Sequence, residues 1–238
     1  MFAGFVFDVE GTLVDSVQQN LSSLQDALEQ HGCRIPRQAL QLYSGLDGDQ
    51  TLQLVVPEAS EPERREMLRL RTDIYEREYL DSVAPFAGVR DTFRALMDLG
   101  GKVALATDCK GHSFKRYLSL LNVGEFIAAT ACGDDVEHGK PDPRLVRHAL
   151  AKLGIRSTQA VMIGDTPYDA EAGREAGTKA AGVLTGGFEA ETLLQAGCFA
   201  IATDLQALLF SLQSGEAANK DQAAMDHLLR FPSDRRAS

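Results

Sequence analysis

Two carboxylates, Asp8 and Glu10, follow directly on the apolar run Phe2-Ala3-Gly4-Phe5-Val6-Phe7. A run of this kind that stops at an acid is what a strand buried on both faces leaves at its carboxyl end. Gly11 permits a tight turn and Thr12 a local hydrogen bond, so the stretch on its own reads as either a solvated turn or a site. Other apolar runs end in polar groups too: Thr107-Asp108, then Gly139-Lys140-Pro141 after the next run, then Gly164-Asp165-Thr166-Pro167-Tyr168-Asp169. Brought together, these make a cluster of acids with a hydroxyl and a lysine. Clustered carboxylates repel one another and persist only where protons or a cation compensate, and an all-oxygen donor set suits Mg²⁺. A cation-bound carboxylate beside a lysine, a hydroxyl and free backbone N–H groups is suited to attack phosphorus. Charge on the phosphoryl oxygens is then neutralised as the anionic nucleophile approaches.

These residues meet only if they share one edge of a sheet. From Val89 onward the chain alternates helix and strand, with strands expected at 102–107, 126–131, 160–164, 179–184 and 199–202. Helices are expected at 89–99, 112–121, 143–153, 168–176, 189–195 and 205–212. With the first strand at 2–8, the pattern predicts an α/β fold, a parallel sheet with helices on both faces. In such sheets ligands bind outside the carboxyl ends of the strands, where the acids fall. Between the first two strands no strand is expected. Val17, Leu21, Leu24 and Leu28 repeat at helical spacing after Asp15 or Ser16 as N-cap, and Gly32 ends the run. Pro36 restarts a second helix with Leu40 and Tyr43, and the turn Gly45-Leu46-Asp47-Gly48 leads into 51–56. A longer charged helix follows at 63–79, with Met67, Leu70 and Ile74 on one side. This helical insertion is placed to cover the site. The domain reading is a core of 1–16 and 82–212, a cap of 17–81, and a polar tail of 213–238.

Composition narrows the function classes. The 238 residues are 44% hydrophobic, enough for a core, and the formal net charge of −10 argues against a nucleic-acid or anionic-membrane surface. No stretch approaches a membrane span and the N-terminal apolar run is too short for a secretory signal, so a cytoplasmic location is expected. Cys33, Cys109, Cys132 and Cys198 lack paired spacing and are expected reduced, with Cys109 alone placed where it could be exposed near a site. His112, His138 and His148 lack metal-like spacing. The run 61–71 reads as a solvated helix face, from which Arg64 or Arg65 could reach an anion if it faced the cleft.

The four stretches Asp8-Val9-Glu10-Gly11-Thr12-Leu13, Thr107-Asp108, Lys140-Pro141 and Gly164-Asp165-Thr166-Pro167-Tyr168-Asp169 resemble, in order, the four motifs of the haloacid dehalogenase superfamily. The insertion resembles that superfamily's C1 cap in the phosphoglycolate phosphatase and β-phosphoglucomutase-like branch. The fold implied is a Rossmann-like three-layer parallel sheet core with an inserted helical cap domain. The resemblance implies Asp8 as nucleophile and Mg²⁺ ligand, and the residue two later as acid/base and, through its backbone carbonyl, a metal ligand. That residue is usually aspartate and here is Glu10; its extra methylene displaces the proton donor by about 1 Å, enough to cost about a hundredfold in rate. Thr107 would bond the phosphoryl group. Asp108 replaces the more usual asparagine, and its backbone N–H would serve the phosphate while its charge would oppose it. Lys140 would hold Asp8 and the phosphoryl oxygens. Asp165 would complete the metal site, with Asp169 behind it or as an alternative ligand. Gly45, in the matching cap loop, would line the substrate pocket.

The expectation is a Mg²⁺-dependent phosphatase hydrolysing a small phosphorylated metabolite, phosphoglycolate-like or sugar-phosphate-like, through an aspartyl-phosphate. Neither nucleic acid nor membrane is expected as a partner, and the chain is expected to be a monomer or homodimer. Two alternatives stand beside it: a 2-haloacid dehalogenase-type hydrolase, and a phosphate-ester-binding protein impaired by Glu10. A phosphonatase is rejected because 17–81 contains no lysine for a Schiff base.

Overall fold

The computed structural model describes residues 2–210. Strand β1 (Gly4–Phe7) lies inside a six-stranded sheet, between β4 (Lys102–Ala106) and β6 (Ala160–Gly164). Gly4 is in register with Lys102 on one side and Ala160 on the other. Two short strands, β2 (Val14–Asp15) and β3 (Ala84–Pro85), stand outside this sheet. Beyond β4 comes β5 (Ile127–Ala131), and beyond β6 come β7 (Lys179–Val183) and β8 (Ala200–Ala202). All pairs in this sheet are parallel. The chain leaves β1 toward β4 and β5, then returns to β6, so strand order reverses at β1. The carboxyl end of β1 is therefore the switch point at which open α/β sheets bind ligands.

Alternation along β1 builds three layers. Phe5 and Phe7 face a cluster with Phe93 and Leu96 of α5 (Val89–Asp98) and Phe114 and Tyr117 of α6 (Gly111–Leu121). Val6 faces the opposite cluster, with Leu145 and Val146 of α7 (Arg144–Leu153) and Ala172 of α8 (Pro167–Ala176). Helix α9 (Ala190–Gln195) packs Leu193 against Ala180 and Ile201. Helical backbone at 205–210 closes the described chain, and the expected tail of 213–238 lies outside it.

The insertion has its own core. Val17, Leu21, Leu24 and Leu28 of α1 (Val17–Gln30) meet Leu40 of α2 (Arg37–Gln41), Leu52 of α3 (Gly48–Val55) and Met67 of α4 (Glu61–Ile74). Helix α4 runs on through a π-helical turn, Tyr75–Tyr79. Ser16 holds the N-cap position of α1, but its hydroxyl makes no capping bond, while Asp47 caps α3 through Asp49 N–H at 3.0 Å and Gln50 N–H at 3.2 Å. Strands β2 and β3 form an antiparallel ribbon, Val14 opposite Pro85 and Asp15 opposite Ala84. The ribbon ties the entry and exit of the helical segment together. It is absent from the sequence expectation because two residues are too few to show a period of two. Among the described residues no helix is long and apolar enough to cross a membrane.

Candidate active site

Asp8 and Asp165 stand at the carboxyl ends of neighbouring strands, and Asp169 on the helix that follows the second of them. Asp8 follows β1, and its N–H still donates to Ile163 O at 2.9 Å, which holds its backbone in the plane of the sheet. Gly11, at φ +80°, then turns the chain so tightly that a Cβ there would collide with the Asp165 carboxylate. Asp165 follows β6 and accepts a 2.5 Å bond from the Thr12 hydroxyl. Asp169 sits in the first turn of α8, in a reciprocal capping box with Thr166.

Lys140 brings these together from the loop before α7. Its ammonium lies 2.5 Å from Asp8 Oδ1, 2.7 Å from Asp169 Oδ1 and 3.6 Å from Asp108 Oδ2. Lys140, Asp8, Asp165 and Asp169 are all buried, none more than 4% exposed. Carboxylate oxygens of Asp8, Asp165 and Asp169 lie within 4.8 Å of one another. Burial, reinforced by the neighbouring Asp169 charge, pushes Asp165 up to about 8. Asp8 also sits well above the usual carboxylate range, because burial and the charges of Asp169 and Asp165 outweigh Lys140. Burial works against the Lys140 charge as well, but Asp169, Asp8 and Asp108 together hold it above the usual ammonium range. A single ammonium among so many carboxylates leaves excess negative charge, and oxygen donors so arranged fit a small hard dication.

Several sequence-named residues take specific places. Thr107 is fully buried, and its hydroxyl accepts from Cys109 N–H at 3.2 Å. Asp108 turns its carboxylate to the lysine loop, where Oδ1 accepts from Lys140 N–H at 3.0 Å. Its other oxygen, Oδ2, lies on the Lys140 ammonium side, so the carboxylate is turned to the lysine. Both Asp169 oxygens are occupied, Oδ1 by Lys140 and Oδ2 by the Thr166 hydroxyl at 2.7 Å. Cys109 is buried rather than exposed, and burial pushes its thiol far above the ordinary range. Arg64 is held by Asp49 at 2.7 Å, and Arg65 pairs with Glu61 on the exposed face.

The insertion packs onto the site. Gly45, at φ +83°, comes so close to Thr166 that a Cβ would lie 2.6 Å from its methyl carbon. Gly139 N–H donates to Asp47 Oδ2 at 2.9 Å, and Asp47 N–H donates to Lys140 O at 3.0 Å. Tyr168 donates its hydroxyl to Leu42 O at 2.9 Å, and Gln41 Nε2 donates to Gly186 O at 3.1 Å. Glu10 is half-buried, and its Oε1 accepts from Asn20 Nδ2 and from the Tyr117 hydroxyl, each at 3.0 Å. Asn20 and Tyr117 were not singled out from sequence, and Asp47 was named there only as part of the turn Gly45-Leu46-Asp47-Gly48. Tyr117 belongs to the apolar stripe of α6, and nothing local marks its hydroxyl as the partner of an acid 107 positions away.

Comparison with known proteins shows the family. Residues 5–183 match the model of the haloacid dehalogenase-like hydrolase family. Pyrophosphatase PpaX of Bacillus velezensis is 30% identical over 180 residues, 75% of this chain and 81% of that protein. The phosphoglycolate phosphatase of Aquifex aeolicus is 29% identical over 187 residues, 76% of this chain and 84% of that one. A hydrolase from Pseudomonas syringae superposes with a TM-score of 0.82 at 26% identity, covering 89% of this chain and 98% of the other. The chain belongs to the haloacid dehalogenase-like hydrolase family.

Proposed function

We propose that this protein is a Mg²⁺-dependent phosphatase that hydrolyses a small phosphorylated metabolite through an aspartyl-phosphate on Asp8. The observation that carries the reading is the buried Asp8–Lys140 pair set against Asp165 and Asp169. A lone buried carboxylate would be protonated and unreactive; Lys140 favours its anion and holds Oδ1 in one orientation.

Asp8 attacks phosphorus, the bond from phosphorus to the ester oxygen breaks, and that oxygen takes its proton from Glu10. Glu10 then accepts a proton from water as the water oxygen attacks phosphorus. The Asp8–phosphorus bond breaks, releasing inorganic phosphate and restoring both carboxyl groups. Asp8, Asp165 and the Glu10 backbone carbonyl would hold Mg²⁺, whose charge offsets that of the phosphoryl oxygens. Asp169, with both oxygens engaged, supports Lys140 and the start of α8. Thr107 and Lys140 are assigned to the phosphoryl oxygens, and Gly45 to the wall of the substrate cavity.

The packing of Asp47 and Gly45 against the lysine loop and Thr166 favours a small substrate over a phosphoprotein. An acidic Glu10 favours phosphoryl transfer over displacement at carbon, where no leaving oxygen needs a proton. The names of the relatives place pyrophosphate and phosphoglycolate first among compounds to try. The test is phosphate release from a panel of these, sugar phosphates and aryl phosphates, with Mg²⁺ or with chelator. Turnover that needs Mg²⁺ and falls by about 10⁴ or more in Asp8→Asn supports the reading. Tight binding of a panel member with no turnover would instead make the chain a phosphate-ester binder.

A further inference from the structure

Glu10 stands where the matching motif usually carries aspartate, yet its longer side chain is held by a built set of donors. Oε1 accepts from Tyr117 on α6 and from Asn20 on α1, both at 3.0 Å. A second group stands behind each donor. The Tyr75 hydroxyl is hydrogen-bonded to that of Tyr117, and Arg71 Nη2 donates to Asn20 Oδ1 at 2.6 Å. The Arg71 contact fixes the Asn20 amide, since a guanidinium can only donate; the carboxamide oxygen faces Arg71 and the NH₂ faces Glu10. Both phenols are buried, and the Tyr117 hydroxyl gives its one proton to Glu10 Oε1, which leaves Tyr75 as the donor to Tyr117. Among the described residues Oε2 of Glu10 has no hydrogen-bond partner.

We propose that Tyr117, seconded by Asn20, is a positioning residue matched to a glutamate at position 10, fixing Oε1 so that Oε2 is presented to the leaving-group oxygen. This rests on the phosphatase reading above. The donors come from three elements, α1 and the end of α4 in the insertion and α6 in the core, so the carboxylate is anchored only while the two parts are packed together. Aspartate at position 10 would draw the carboxylate back by about 1.5 Å, one carbon–carbon bond. The buried Tyr117 hydroxyl would then lose its acceptor. The extra methylene is accordingly an adaptation to this donor set, and the aspartate usual at this position should work less well here.

The test uses leaving groups. Alkyl oxygens such as those of 2-phosphoglycolate and glycerol 1-phosphate need protonation to depart, whereas the phenolate of p-nitrophenyl phosphate does not. The base step of Glu10 is common to both classes and enters kcat, so the comparison is made in kcat/KM, which reports only the steps up to transfer onto Asp8. In Tyr117→Phe we expect kcat/KM to fall about tenfold to a hundredfold on the alkyl esters and less than about twofold on the aryl ester. In a Glu10→Gln background Tyr117→Phe should cause no further loss, and Glu10→Asp should fall below wild type on alkyl esters. If Tyr117→Phe does not fold, Asn20→Ala carries the same comparison, with a loss in kcat/KM of about threefold on alkyl esters only. Equal losses in kcat/KM on both ester classes, an undiminished Tyr117→Phe effect in Glu10→Gln, or a Glu10→Asp enzyme as active as wild type would overturn the proposal. A wild type inactive on every ester removes the phosphatase reading and this inference with it, whereas an active wild type with uniform losses removes this inference alone.

Discussion

Lys140 is the residue on which the electrostatics of the site turn. Its side chain is 4% exposed, and the ammonium lies within ion-pair distance of Asp8, Asp169 and Asp108. Removing one partner of a buried pair costs more than the pair contributes, because the remaining charges stay buried without compensation. Lys140→Ala should therefore lower unfolding free energy by about 3–5 kcal/mol in chelator, read from urea melts. Mg²⁺ should restore part of that loss by supplying a cation to the same carboxylates. An unchanged melt would mean that the carboxylates are compensated elsewhere. Asp8 and Asp165 were legible as candidates in the sequence because each is a charged residue set just after an apolar run, whereas Lys140 lies in a polar loop well beyond Ala131, the end of β5, and was picked out by the motif resemblance. Asp108 was legible as a position but not as a role, since only the fold shows its carboxylate accepting from the Lys140 N–H. Tyr117 and Asn20 were not legible: hydrogen bonds between residues far apart in sequence leave no local pattern.

At the scale of elements, the loop between α2 and α3 joins the helical insertion to the core. Asp47 performs two tasks there, capping α3 and accepting from Gly139 N–H beside Lys140. Asp47→Ala should lose about 1 kcal/mol of stability as a missing N-cap. It should also raise KM several-fold with kcat little changed, since closure over substrate is weakened while the core residues stay in place. Steady-state kinetics beside a thermal melt check both parts, and a fall in kcat at constant KM would contradict this role. Most elements were legible because they carry strong signals, such as the left-handed glycine cap of α7 at Gly154 and the apolar stripe of α5. The β2–β3 ribbon and the π-helical turn at the end of α4 were not. The ribbon is held by pairing between segments distant in sequence, Val14 with Pro85 and Asp15 with Ala84, and the turn begins at Tyr75, whose hydroxyl meets that of Tyr117 on α6.

For the whole molecule, strand order reversing at β1 gathers Asp8, Thr107, Lys140 and Asp165 at one edge of the sheet from segments spread across most of the chain. That convergence was legible because alternating strands and helices admit few arrangements other than a parallel sheet. That the insertion lies over this edge was expected as well, but the single contacts that hold it there, such as Gly45 on Thr166, were not legible. A chain of net charge −10 that binds an anionic ester must supply positive charge locally. Lys140 and the dication that the acids fit would do so. Mg²⁺ at a hundred times its dissociation constant should stabilise the fold by about 2.7 kcal/mol, seen as a rise in Tm, and Asp165→Asn should abolish the rise. The covalent step itself can be caught by mixing enzyme, Mg²⁺ and a turned-over ester, quenching with borohydride, and mapping peptides by mass spectrometry. An acyl phosphate is reduced where it forms, so conversion of Asp8 to homoserine, dependent on substrate and on Mg²⁺, is the predicted result. Steady turnover with Asp8 unmodified, or with the modification on another carboxylate, would contradict nucleophilic attack by Asp8.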